Sequence, residues 1–399
     1  MNELMEQTAC DILFTHSYFL RLDPKQWRTG RPYAPLGTIY AAALMREKGY
    51  AVALHDVQFV QSADEVKGRS ATLRPAWFVV YDDGFNYLTK MCLTNMREAA
   101  FQMIRIAKES GCKVIVASSD ATDHFRAYLE EGADYILLGE AEQSLLELVN
   151  AIDRDLLDPG CVAGIAYKKG TEVITTVKRK LMTDLDALPL PAWDLIDLET
   201  YRKWWQKHAG YFSVNIGTTR GCPFQCNWCA KPIYGNRYHA RSPQHVVREL
   251  KLLKDLVHFE HVWFCDDIFG LRPGWVGEFA DLVIKEGLEF HFKIQSRADL
   301  LLKEEYVAAL ARAGCSEVWM GAESGSQKIL DAMDKGIRVE QVERATALLR
   351  SHGILPSFFI QFGYPGETKE DILLTVNMIN RLQPHQIGIS VSYPLPGTV

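Results

Sequence analysis

Apolar residues along the first 155 positions fall into short runs separated by longer stretches of helical spacing. Residues 11–15, 51–56, 77–81, 113–117 and 135–140 are such runs, each short enough and apolar enough for a strand buried on both faces. Between them, residues 39–46, 88–110, 124–131 and 143–152 place apolar positions at three- and four-residue steps, as an amphipathic helix does. Strands alternating with helices predict a doubly wound α/β domain, whose ligands sit beyond the carboxyl ends of the strands. Residues 162–176 read as a hairpin turning at Lys169-Gly170. Leu188-Pro189-Leu190-Pro191-Ala192-Trp193 begins a linker, so the boundary is expected within residues 180–210. The pattern then resumes. Strands are predicted at 211–216, 261–267, 290–297, 317–326, 355–363 and 387–393, and helices at 243–257, 303–313, 339–352 and 369–382.

Composition narrows the class. A chain of 399 residues is too long for one ordinary domain. Its 48% apolar and 24% charged residues are those of a water-soluble globular protein. The net charge of -6 gives no footprint for a nucleic-acid partner, and no apolar run approaches the length of a membrane span. The first residues lack the basic and apolar regions of a signal peptide. The nine cysteines are scattered except for one trio, which suits a reducing cytoplasm better than a disulfide scaffold.

That trio carries the chemistry. Cys222, Cys226 and Cys229 stand at C-x3-C-x2-C spacing on a loop opened by Gly217 and Gly221, directly after the strand at 211–216. Thiolates are soft ligands that select zinc or iron–sulfur clusters. A structural zinc site closes with four ligands, and no fourth Cys or His lies at finger spacing. A [4Fe–4S] cluster held by three thiolates would leave one iron open.

The loop, with Trp228 before its last cysteine, resembles the signature of the radical S-adenosylmethionine (SAM) superfamily. The resemblance implies that Cys222, Cys226 and Cys229 hold a [4Fe–4S] cluster whose open iron chelates SAM. An electron from an external donor of flavodoxin or ferredoxin type would then split SAM to a 5′-deoxyadenosyl radical. It implies a partial (β/α)6 barrel over residues 210–399. Asp266 and Asp267 then face the SAM ammonium, and Arg297 pairs with a carboxylate of SAM or substrate. Glu323 and Ser324 meet the ribose, and the segment from Gln361 through Gly363 to Gly366 contacts adenine by its backbone. The family continues into a last helix after Pro394-Leu395-Pro396-Gly397, so the barrel is expected to be cut short.

Residues 1–155 resemble the Rossmann-like cobalamin-binding domain fused to many radical SAM enzymes. The likeness lies in Pro35-Leu36-Gly37 and in two strand ends, Ala117-Ser118-Ser119-Asp120-Ala121-Thr122 and Gly139-Glu140-Ala141-Glu142. It implies that Ser118, Ser119, Asp120, Thr122, Gly139 and Glu140 meet cobalamin. Both segments carry side chains where the family has glycines that allow close backbone approach. The D-x-H-x-x-G motif whose His ligates cobalt in some cobalamin enzymes is absent, as it is in many radical SAM relatives that bind cobalamin. His16, His55 and His124 are alternative cobalt ligands, although a lone histidine is more often structural. Asp82-Asp83-Gly84-Phe85-Asn86 could bond a cofactor amide or cap the helix that follows. Residues 156–209 form the hairpin and linker.

The resemblance implies a cobalamin-dependent radical SAM enzyme that methylates an unactivated carbon of a small molecule. Two alternatives stay open: an oxidative cyclase or rearrangement enzyme with the same cofactors, and a non-catalytic corrinoid-binding scaffold. The methylthiotransferases carry an extra N-terminal cysteine set that Cys10, Cys92 and Cys112 do not reproduce.

Overall fold

The computed structural model describes residues 10–82, 84, 94–154, 158–231, 233–394 and 398. Asp83, Phe85, Asn86 and Cys92, the predicted helix start at 88–93, and the chain end at 395–397 and 399 lie outside the described residues. The chain divides into two compact units, Met1–Gly210 and Tyr211–Val399.

The first unit is a seven-stranded sheet in the order β2-β1-β3-β4-β5-β6-β7. Strands β1 (Ile12–Thr15), β2 (Val52–His55), β3 (Trp77–Tyr81), β4 (Lys113–Ala117) and β5 (Tyr135–Leu137) run parallel. Every residue of β1 and β3 is buried, because helices cover both faces. Helices α1 (Pro24–Thr29), α2 (Leu36–Glu47), α3 (Val66–Leu73), α4 (Thr94–Glu109), α5 (Ser119–Asp123), α6 (Phe125–Glu130) and α7 (Glu142–Asp153) fill the crossovers. The short helices α1 and α3 were not legible in the sequence. The hairpin β6 (Ile165–Lys169) and β7 (Glu172–Thr175) joins the same sheet, β6 pairing antiparallel with β5. It is a sheet edge, not a separate segment. The linker also belongs to this unit. Ala192 N–H bonds the Ile39 carbonyl at 3.1 Å, Arg46 grips Asp194 with two bonds, and Trp193 is buried. Helix α8 (Leu198–Ala209) follows, capped by Asp197. Its Trp205 donates to the Pro32 carbonyl at 2.6 Å, and Trp204 packs on Trp27 and Phe59. These tryptophans, whose place the sequence left open, pack within the first unit.

The second unit is a six-stranded parallel sheet in the order β15-β14-β13-β12-β11-β8, curled as a half-barrel. Its strands are β8 (Ser213–Ile216), β11 (His261–Phe264), β12 (His291–Ser296), β13 (Cys315–Glu323), β14 (Leu355–Phe362) and β15 (Ile387–Val391). Two short strands, β9 (Thr219–Arg220) and β10 (His239–Ala240), pair antiparallel across the ends of the cysteine-bearing segment. Helices α9 (Pro243–Leu256), α10 (Trp275–Lys285), α11 (Glu304–Arg312), α12 (Gln327–Ala332), α13 (Val339–Ser351) and α14 (Lys369–Leu382) alternate with the strands. Helix α9 starts where the sequence says it should: Ser242 caps the His245 N–H and Pro243 takes the first turn. A sheet of aromatic rings, Phe264, Phe269, Trp275, Phe279 and Phe292, cements α10 to the strands. Burying each phenylalanine is worth about 1.5–3 kcal/mol.

Candidate functional site

The loop after β8 begins with its backbone fixed from two sides. From the end of β11, the Asp266 carboxylate accepts the Thr218 N–H at 2.7 Å, the Thr218 hydroxyl at 2.5 Å and the Thr219 N–H at 2.8 Å. From the end of β10, Arg241 donates its guanidinium to the Gly217 carbonyl at 2.9 Å, and its own N–H to the Thr218 carbonyl at 2.9 Å. Arg241 is in turn held by Glu249 of α9 at 2.6 Å and by His245 at 2.9 Å, all deeply buried. Trp275 Nε1 braces the Arg241 carbonyl at 2.7 Å. Gly221 stands at φ +76°, and a Cβ there would strike the Arg237 carbonyl oxygen, so only glycine allows the turn into Cys222.

Cys222, Cys226 and Cys229 are half-buried free thiols. Burial pushes the Cys222 thiol up, and pushes Cys229 to about 11, with Asp267 and the other two cysteines adding to the effect on Cys229. Among the described residues no group of three His, Cys, Asp or Glu side chains could hold a metal ion. The fourth nearby candidate, Cys265, is buried and bonded to the Ile216 carbonyl.

The far side of the loop is docked on the later strands. The Arg297 guanidinium lies 3.6 Å from the centre of the Phe224 ring, bonded to Asp299 at 3.0 Å and the Lys335 carbonyl at 2.9 Å. Lys335 Nζ, also buried, sits 2.7 Å from Glu323 Oε1 and 5.7 Å from the centre of the Trp228 ring. Burial alone would lower Lys335, but Glu323 and then Cys226 raise it. Asn227, between two cysteines, bonds the Ala332 carbonyl through Nδ2 at 2.8 Å and the Met333 carbonyl through its N–H at 3.2 Å. Lys231 closes the loop on the Phe224 carbonyl and on Asn236.

The structure thus brings most residues singled out in the second unit to the carboxyl edge of its sheet, with roles that differ in detail. Asp266 is committed to the loop backbone, and burial pushes its pKa to about 6. The Asp267 carboxylate adds to the upward shift of the Cys222 and Cys229 thiols. Arg297 stacks on the loop. Glu323 occupies a left-handed conformation, φ +59°, next to a register shift in β13, which is the kind of strain that gathers at functional sites. The Ser324 hydroxyl is buried and bonded to Thr375 at 3.0 Å. Gly363 and Gly366, both at positive φ, shape a turn in which the Gly363 N–H bonds Glu367 at 2.6 Å. Gln361 Oε1 and Trp228 Nε1 are buried without a hydrogen-bond partner. Each such orphan costs about 1–3 kcal/mol, and both lie in segments where a ligand was expected. Thr218, Asn227, Arg241, Glu249, Lys335 and Tyr364 were missed. A signal existed for Glu249, a carboxylate set among the apolar positions Val246, Val247, Leu250 and Leu253 of α9.

In the first unit the strand order reverses between β1 and β3, the switch point where such sheets bind ligands. The two segments singled out there are neighbours: the Gly139 N–H bonds Thr122 Oγ1 at 3.1 Å. Ser118 caps α5 through Ala121 N–H, and Ser119 is buried beside it. Asp120 is bonded to Arg97 through both oxygens and accepts the Tyr128 hydroxyl at 2.7 Å. Glu140 accepts the Met182 N–H at 2.5 Å. Ala117 and Ala141, standing where glycines were expected, are buried in the packing. His16 is buried against Asp56 at 2.8 Å, and burial lowers His55 to about 4. The His124 ring is half-exposed, 3.8 Å from Asp120. Asp82 accepts the Ser17 N–H and hydroxyl.

A half-barrel whose first strand runs into a three-thiol loop defines a class of protein. Residues 216–379 match the model of the radical SAM superfamily. It is 27% identical to an uncharacterized methyltransferase of Pyrococcus horikoshii over 91% of this chain and 77% of that protein. It is 28% identical to the anaerobic magnesium-protoporphyrin IX monomethyl ester cyclase of Rubrivivax gelatinosus, over 91% of this chain and 65% of the cyclase. The fold superposes on the radical SAM methyltransferase TsrM of Kitasatospora setae, solved with cobalamin and a [4Fe–4S] cluster. That match has a TM-score of 0.76 and 19% identity, covering 97% of this chain and 72% of TsrM. It also superposes on the cobalamin-dependent enzyme OxsB, with a TM-score of 0.78 and 18% identity over 96% of this chain and 53% of OxsB. The two-unit α/β architecture is that of these proteins. No helix among the described residues is long and apolar enough to cross a membrane.

Proposed function

We propose that the chain is a cobalamin-dependent radical SAM enzyme that methylates an unactivated carbon of a small molecule. The observation that carries this reading is the cysteine loop: three free, half-buried thiols at C-x3-C-x2-C spacing, directly after the first strand of the half-barrel. That donor set suits an open iron–sulfur cluster and not a closed tetrahedral ion. When bound, the cluster supplies an electron to SAM and the corrinoid supplies a methyl carrier; the chain supplies placement and exclusion of water.

In this reading Cys222, Cys226 and Cys229 ligate the cluster. Asp266 does not touch SAM; it fixes the loop. Asp267 faces the SAM ammonium, and Glu323 turns from Lys335 toward the ribose. Gln361 and the Gly363–Gly366 turn take the adenine, with the orphaned Gln361 Oε1 accepting a donor. In the first unit Ser118, Ser119, Thr122 and Gly139 form the corrinoid-facing edge, while Asp120 and Glu140 hold that edge in shape. A flavodoxin or ferredoxin supplies electrons in the cytoplasm.

The cyclase relative favours a second reading, ring closure with the same cofactors and no methyl transfer. The test is anaerobic incubation of cobalamin-supplemented protein with reductant, SAM and candidate substrates. Equal amounts of 5′-deoxyadenosine and S-adenosylhomocysteine with a methylated product support methyl transfer. 5′-Deoxyadenosine without S-adenosylhomocysteine supports ring closure. Neither product, from iron-loaded protein, contradicts both.

A further inference from the structure

Tyr364 sits in the middle of the Gly363–Gly366 turn, yet its side chain leaves the turn. Its hydroxyl lies 2.8 Å from Asn227 Oδ1 and 2.9 Å from the Ala332 carbonyl. Asn227 stands between Cys226 and Trp228, and it already bonds the carbonyls of Ala332 and Met333. Three segments far apart in sequence therefore meet at one amide: the cysteine loop, the end of α12 and the turn after β14. The turn is otherwise tied to its own surroundings, through Gly363 to Glu367 and through Thr368 to Asp371 at the start of α14. Among the described residues, the hydroxyl of Tyr364 is the side-chain hydrogen bond that joins this turn to the cysteine loop.

We propose that Tyr364 and Asn227 form a positioning link that makes nucleoside binding at the 363–366 turn and cluster binding at the cysteine loop strengthen one another. The physical reason is shared ordering. A ligand that fixes the turn also fixes the Tyr364 hydroxyl. That hydroxyl fixes the amide between two of the three thiols, so the second ligand meets a site already ordered. Coupling of this kind is reciprocal by thermodynamic necessity. This rests on the reading of the turn and the thiols given above. It adds that the two subsites communicate through protein, apart from any direct bond between SAM and iron.

5′-Deoxyadenosine isolates the effect, because it lacks the amino and carboxylate groups that chelate iron. Its affinity is measured anaerobically by calorimetry on iron-loaded and iron-free protein, for the native chain and for Tyr364→Phe and Asn227→Ala. The native chain is expected to bind it roughly two- to ten-fold more tightly when loaded, the range one net hydrogen bond spans. Both variants are expected to keep their iron per chain but lose that difference, and the double variant to lose no more than either single one. A native difference that persists in Tyr364→Phe, or no native difference, overturns the link. A native chain that takes up no iron, or binds no 5′-deoxyadenosine in either form, instead overturns the functional reading beneath it.

Discussion

The carboxyl edges of the two sheets solve the same problem in opposite ways. In the first unit the polar residues at the edge mostly satisfy one another: Ser17 with Asp82, His16 with Asp56, Asp120 with Arg97 and Tyr128. In the second unit the polar side chains also pair, Arg241 with Glu249 and Lys335 with Glu323, but the same groups grip a single loop. Asp266 and Arg241 hold its root, and Arg297, Lys335 and Ala332 receive its far side. The first edge is held by its own hydrogen bonds and ion pairs. The second is a frame built around the loop that carries the three thiols.

The sharpest way to break that contrast is to remove one thiol. Replacing Cys222, Cys226 or Cys229 with Ala should reduce iron per chain to background and abolish 5′-deoxyadenosine formation, by metal analysis and chromatography. Thr122→Val at the first edge should leave iron unchanged. Next in size is the buried pair beneath the loop. Arg241→Met removes the guanidinium from the fully buried Glu249 carboxylate, which should cost about 3–5 kcal/mol of unfolding stability. Chemical denaturation of iron-free protein checks it, and Glu249→Gln should cost less because the amide keeps an oxygen of the same shape to accept from Arg241.

Titration separates the two units with opposite signs. His55 is lowered by burial to about 4, so the unfolded chain takes up its proton first. Its contribution is intact above pH 6.5 and is lost as pH falls toward 4, about 3 kcal/mol in all. Asp266 is raised by burial to about 6, so its ionised form is disfavoured by the fold. Its contribution is intact below its ordinary value of 3.8 and is lost, again by about 3 kcal/mol, as pH rises through 6. Stability measured from pH 4 to 7 should rise less steeply in His55→Gln than in the native chain. The gap between the native chain and Asp266→Asn should move toward the variant over the same range. Equal slopes for all three would remove the distinction.

Legibility followed the same division. Apolar runs such as residues 77–81 and 113–117 announce buried parallel strands, so both sheets could be read nearly strand by strand. The trio of cysteines was plain because its spacing is local. What could not be read was pairing over distance. Asp266 was expected at a ligand because carboxylates at strand ends often face one, but Thr218, lying next to it only in the folded chain, takes both its oxygens. Lys335 gives no sequence signal, since a lysine after a short helix is normally solvated, and its burial depends on Glu323 and Trp228. Helix α10 was overlooked although Trp275, Phe279 and Val283 mark its buried face. The aromatic-rich segment around it, with Gly270 and Gly274, reads as a loop from composition.

The central claim is that the second edge is completed by an open four-iron cluster. It is tested most directly by the electron paramagnetic resonance spectrum of the dithionite-reduced, iron-reconstituted protein with and without SAM. The account predicts a reduced [4Fe–4S] signal that changes on SAM addition and disappears in Cys226→Ala. A signal indifferent to SAM, or a protein that holds one zinc and no iron, would contradict it.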